Sequence, residues 1–184
     1  GASRTMQIAQ RLYQGIEIEG DAIGLITYMR TDGTNISNEA VKLFRSYIKE
    51  KFGNDYLPDL SLNYAGKKAK NAQEAHEAIR PTDIKRSPEN IKKYLSTDQY
   101  KLYNLIWSKA LSSQMKPAEF NRSTITITSD DNLNIFKGSG SVIKFDGFLK
   151  LYNNDKKDEN ENTLPQVLKG PIRIEEFIDE QHFT

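Results

Sequence analysis

"SSQMKPAEFNRSTITITSDD", residues Ser112 to Asp131, is where the chain changes character. Up to Met115, apolar residues recur at three- and four-residue intervals, the period of a helix with one buried face. Pro117 closes that pattern, because its ring removes an amide donor and clashes with the preceding turn. From Arg122 onward the β-branched residues alternate with period two, the signature of a half-buried strand. The chain therefore reads as α+β, with a mainly helical domain over residues 1–121 and an antiparallel β segment over 122–184.

Upstream of the junction, Ser96 and Gln99 have capping-box spacing before "YKLYNLIWSKALSSQM", whose buried side is assigned to Leu102, Leu105, Ile106 and Trp107. Ser87-Pro88 opens a short helix. "NAQEAHEAIRP" reads as another that ends near Arg80, since Pro81 disfavours helical geometry before it. "SNEAVKLFRSYIKEKFG" is a helix from the Ser37 cap to Gly53, burying Val41, Phe44 and Ile48. Ser3 to Gln14 is a helix with Met6, Ala9 and Tyr13 on one face, Ile8 and Leu12 beside it, and Gly15 as its stop. "IEIEGDAIG" reads as a turn-rich connector and "LITYM" as a short apolar strand. Downstream, the alternation runs to "FDGFLKLY", interrupted at Asp130-Asp131 and at Gly138-Ser139-Gly140. "NNDKKDENEN" is polar enough for a mobile loop, and "IRIEEFI" is a last strand.

Composition sets outer limits. The 184 residues carry 26 Lys and Arg against 25 Asp and Glu, so bulk charge does not argue for a polyanionic partner, and nucleic-acid contact requires local clustering. The absence of cysteine excludes disulfides and thiol catalysis. With only His76 and His182, a zinc site is not expected. No apolar run approaches a membrane span or a signal-peptide core, and a cytoplasmic setting is expected. Neither end reads as a natural boundary, so the chain reads as a piece of a longer protein.

Two stretches carry chemistry. In "LITYMRTDGTNIS" (Leu25–Ser37), Tyr28 precedes Arg30 by two residues, a spacing that puts both side chains on one face of a strand. A phenol beside a guanidinium suits nucleophilic attack on a phosphodiester, with the arginine on the non-bridging oxygens. The same pair also suits an ordinary structural strand. In "EAHEAIRPTD" (Glu74–Asp83), His76 and Arg80 are four residues apart and share one stripe of a helix, able to contact phosphate. That stripe equally fits a solvated face, with Glu77 pairing to Arg80. Lys67, Lys68 and Lys70 form the nearest basic cluster, and read as well as solvated lysines.

Together these stretches resemble the type IA DNA topoisomerases. The match runs through "AQRLYQG" (Ala9–Gly15), "GLITYMRTDGTNIS" (Gly24–Ser37), "EAHEAIRPTD", "LYNLIWSKALSSQMKPA" (Leu102–Ala118) and "FDGFLKLY" (Phe145–Tyr152), in family order. The resemblance implies a helix-turn-helix-like domain carrying the active-site tyrosine, followed by part of the β arch of a toroid. It implies that Tyr28 is the nucleophile, that Arg30 positions the scissile phosphate, that His76 binds the DNA backbone, and that Arg80 has a supporting or phosphate-contacting role. The substrate class it implies is single-stranded or negatively supercoiled DNA. Gly33 stands where many relatives have serine. The family's Asp-x-Asp-x-Glu cluster is missing from this sequence. Mg²⁺ ligands, and the lysine that assists the leaving oxygen, are therefore expected in the remainder of the same polypeptide. Two rival readings are a non-catalytic DNA-binding module built on the helices near 87–115, and a scaffold in which Tyr28 merely packs. The second requires Tyr28 to be deeply buried with its hydroxyl satisfied internally.

Overall fold

The computed structural model of the protein describes residues 1–64, 77–131 and 133–152. The chain begins with α1 (Ala2–Gln14), which stops at Gly15, a residue in a backbone conformation (φ 138°) that favours glycine. It buries Ala9 of the expected face and the adjacent Leu12, while Met6 and Tyr13 of that face stay exposed. "IEIEGDAI" is not a connector but a small antiparallel hairpin, β1 (Ile16–Ile18) with β2 (Asp21–Ile23). Ile18 faces Asp21 across a two-residue loop in which Glu19 and Gly20 both have positive φ. That loop matches the twist of the strands it joins. Three-residue strands are too short for alternation to register in the sequence.

The next helix, α2 (Asn38–Phe52), starts where the sequence places it. The Ser37 hydroxyl accepts from the Ala40 N–H, and the Gly53 N–H closes the last turn onto the Lys49 carbonyl. Ala40, Phe44 and Ile48 form its buried stripe. A single proline-initiated turn, α3 (Pro88–Ile91), leads into α4 (Thr97–Ser112). The Ser96–Gln99 capping box is formed in both directions, satisfying two amides at the helix start. The buried face of α4 is rotated from the expected one. It carries Tyr103, Trp107, Ser108, Ala110 and Leu111, while Leu105 is exposed.

The core is assembled around α4. Leu12, Leu25, Ile26, Phe44, Ile48, Tyr103, Leu111 and Met115 are almost completely enclosed. The polar atoms of Tyr103, Trp107 and Gln114 carried inside find partners. The Tyr103 hydroxyl donates to the Arg86 carbonyl (2.7 Å), and the Trp107 indole N–H donates to that of Ile84 (3.0 Å). Gln114, fully buried, pairs its amide with both backbone groups of Leu62.

β3 (Glu119–Thr128) and β4 (Ile135–Phe145) form the second antiparallel sheet. Asp130-Asp131 lies in the connecting turn, where the Ser129 N–H donates to the Asn134 carbonyl (3.0 Å). Gly138-Ser139-Gly140 does not break the strand but lies within β4. The alternation also stops earlier than expected, since Gly147–Leu151 is a 3₁₀ turn. The described chain falls into two compact units. One holds residues up to Glu119 together with Ile143 and the residues after it, and the other contains Phe120–Val142. In the second, Phe120, Ile135 and Phe136 are all exposed. A two-stranded hairpin needs a further strand or a packed helix to bury a face. The expected loop at 153–162 and the strand "IRIEEFI" lie outside the described residues.

Candidate active site

Tyr28 sits just beyond a close crossing of two chain segments. The Leu25 N–H donates to the Leu12 carbonyl at 2.7 Å, and a Cβ on Gly24 would lie 2.7 Å from the Tyr13 carbonyl oxygen. Only glycine permits that approach. It brings the last turn of α1 alongside the tyrosine, whose ring meets Tyr13 edge-on with centroids 5.3 Å apart. Tyr28 is 55% exposed, and its hydroxyl makes no hydrogen bond among the described residues. The packing-only reading required the opposite on both counts.

Tyr28 and Arg30 do not lie in a strand. Among the described residues, the only ladder contact of "LITYM" is a bridge between Ile26 and Pro81. The Arg30 N–H folds back onto the Tyr28 carbonyl (2.9 Å), a three-residue turn centred on the buried Met29. Met29 anchors the turn in the core, and the residues on either side remain exposed. The Arg30 Nε–H donates to Asp32 Oδ2 at 2.9 Å, and both side chains are about half exposed. Arg30 also lines an open cleft of about 660 Å³ with Thr34, Ile79, Lys109, Ser113 and Phe148. Lys109 has no sequence signal, being one more exposed lysine on an amphipathic helix.

Arg80 is not on a helix within the described residues. Residues 77–81 are non-helical, with a bend at Ile79, and bridge Glu77 to Asn35 in parallel and Pro81 to Ile26 in antiparallel sense. The Arg80 guanidinium grips Glu77 at both carboxylate oxygens, Nε to Oε1 at 2.7 Å and Nη2 to Oε2 at 3.0 Å. It also donates to the Pro81 carbonyl at 3.0 Å. Its side chain is only 14% exposed, so this is a partly buried pair and not the surface pair the sequence allows. Burial pushes the Glu77 carboxyl up. The hydrogen bond from Arg80, the Ser37 N–H and the arginine's charge outweigh burial and hold it below the usual carboxylate range. His76, Lys67, Lys68 and Lys70 lie outside the described residues. No three of His, Asp and Glu converge among the described residues, and no helix there is long and apolar enough to cross a membrane.

Known proteins match the chain over all or nearly all of its length. The family profile described as DNA topoisomerase matches residues 1–184. DNA topoisomerase 1 of Rickettsia typhi is 46% identical over 187 residues, which cover 100% of this chain and 24% of that protein. DNA topoisomerase 1 of Xylella fastidiosa is 40% identical over 189 residues, covering 98% of this chain and 23% of that protein. The structure of full-length topoisomerase I from Thermotoga maritima matches with a TM-score of 0.74 at 38% identity, over 92% of this chain and 26% of that one. The chain belongs to the DNA topoisomerase family, and it spans about a quarter of the length of these relatives.

Proposed function

We propose that the full-length protein containing this chain is a type IA topoisomerase that relaxes negative supercoils, with Tyr28 as its nucleophile. The observation that carries this reading is an exposed phenol, one residue from Arg30 across a buried anchor, in a chain of this family. The Tyr28 oxygen attacks a backbone phosphorus of a single DNA strand. The phenol gives up its proton as its oxygen bonds to phosphorus, the bond to the 3′ oxygen breaks, and that oxygen takes up a proton to leave as a free 3′ hydroxyl. One phosphoester replaces another, so resealing runs by the same path in reverse and needs no ATP. Arg30 holds the non-bridging oxygens as charge builds on them, with Asp32 fixing its Nε edge. His76 contacts the DNA backbone nearby, and Arg80 supports the site.

The described residues do not fit a Mg²⁺ site, since no acidic cluster converges here. The metal ligands, and the group that protonates the leaving oxygen, are assigned to the rest of the polypeptide. The isolated chain should therefore neither cleave nor relax plasmid DNA when Mg²⁺ is added, and sustained relaxation by it would contradict this division of labour. For the main reading, full-length enzyme is trapped on a single-stranded oligonucleotide and the adducted peptide is sequenced. Attachment at Tyr28 is expected. Attachment at another side chain would overturn the proposal.

A further inference from the structure

The loop from Tyr28 to Ile36 has both of its ends fastened to the same short segment, residues 77–82. At the front, the Thr27 N–H donates to the Arg80 carbonyl (2.9 Å), and the Arg80 N–H donates back to the Thr27 hydroxyl (2.9 Å). That hydroxyl in turn donates to the Ala78 carbonyl (2.8 Å). Next to it, the Thr82 N–H donates to the Leu25 carbonyl (3.0 Å). At the rear, the Ala78 N–H donates to the Asn35 carbonyl (2.7 Å), and Glu77 Oε1 accepts from the Ser37 N–H (2.9 Å), the residue that caps α2. Arg80 joins the two fastenings. Its backbone holds Thr27, while its guanidinium holds the carboxylate that holds Ser37.

We infer that Thr27, Glu77 and Arg80 are positioning residues that set the geometry of the Tyr28–Arg30 turn by clamping both ends of its loop, an inference that rests on the function proposed above. The alternative for Arg80 is direct contact with phosphate. Bidentate phosphate recognition uses two parallel N–H groups on one edge of the guanidinium. In Arg80 the Nε–Nη2 edge is occupied by Glu77, and a third N–H goes to the Pro81 carbonyl. Three of its five N–H donors are thus engaged inside the fold, and a carboxylate already sits against its charge. Thr27 is the most economical point of the clamp, because one hydroxyl acts as donor and acceptor between the nucleophile's neighbour and the opposite segment. Misplacing a reacting group by about 1 Å costs on the order of 100-fold in rate, so a clamp of this kind acts on the chemical step and not on DNA affinity.

The test uses full-length enzyme and a labelled single-stranded oligonucleotide. It measures the rate of adduct formation at saturating DNA, non-covalent affinity against salt, and melting by circular dichroism. Thr27→Val and Arg80→Ala should each slow adduct formation by roughly 10- to 100-fold while leaving affinity and its salt dependence unchanged. Thr27→Ser, which keeps the hydroxyl, should restore the rate that valine removes. Where Arg80→Ala is unfolded at the assay temperature, the valine–serine pair decides, since it changes a single hydroxyl. A salt slope shallower by about 0.7 in Arg80→Ala, with an unchanged rate at saturation, would make Arg80 a phosphate ligand and overturn the inference. An unaltered rate in Thr27→Val would do the same. Tyr28→Phe separates the two levels. If the adduct persists without that hydroxyl, the proposed function itself fails, whereas an adduct that needs Tyr28 but ignores Thr27 and Arg80 removes only the clamp.

Discussion

Tyr28 and Tyr103 carry the same phenol in opposite settings. Tyr103 has no exposed surface, donates to the Arg86 carbonyl at 2.7 Å, and is wedged where α4 meets the rest of the core. Burial pushes its ionisation far above the ordinary phenol value, with the nearby Asp83 adding to the effect. Tyr28 projects from a turn whose anchor, Met29, is buried in its place. The core takes a tyrosine whose proton is fixed, and the loop offers one whose oxygen is accessible. The difference shows what a nucleophilic tyrosine needs from the fold. Rigid support must reach the residues on either side of it, and its own hydroxyl must be left out of that support.

The sharpest break in this contrast is the paired removal of the two hydroxyls. Tyr28→Phe in the full-length enzyme should abolish covalent trapping of DNA while leaving non-covalent binding intact, as seen by denaturing gel and anisotropy. Tyr103→Phe should still trap DNA. A large effect comes next from the support itself. Phe44→Ala, at the centre of the stripe of α2, should lower unfolding free energy by about 3–5 kcal/mol in urea titrations. Smaller is the cost of Tyr103→Phe, about 1–3 kcal/mol in the same titration, because the Arg86 carbonyl loses its donor.

The smallest expected effect is a pH dependence at the clamp. The folded Glu77 carboxyl ionises below its ordinary range, so its contribution to stability is present above the unfolded value. It is lost as pH falls through the folded one. Melting temperature should therefore drop more steeply in the acid range for the wild-type protein than for Glu77→Gln. Identical acid slopes would mean the Arg80–Glu77 pair adds nothing to folding.

Much of the helical scaffold was legible from local signals. The Ser37 and Ser96 caps, the Gly15 and Gly53 stops and the Pro88 start were all readable, because each rests on atoms a few residues apart. The faces of α1 and α4 were harder. Hydrophobicity nominated Leu105 and Met6, but the core took Tyr103 and Ser108, whose polar groups found partners, and left Leu105 and Met6 outside. The candidate site was legible as a list of residue types and misleading as geometry. Tyr28 and Arg30 were expected to share a strand face and Arg80 a helix stripe. Instead a turn around Met29 and a bent, non-helical segment after position 76 carry them. Thr27 was invisible, since a threonine beside a tyrosine signals nothing until a segment fifty residues away meets it.

Sequence alone determined the α+β order of the chain, the ends of its helices, and the family whose motifs it carries. Those properties depend on capping, backbone restriction and residue identity, which act locally. Only the tertiary structure decided that Tyr28 is exposed while Tyr103 is enclosed, that Arg80 is turned inward, and how the Tyr28 loop is held at both ends. Such choices depend on contacts between segments far apart in the chain. There, burial and hydrogen-bond satisfaction are settled by every packed neighbour at once.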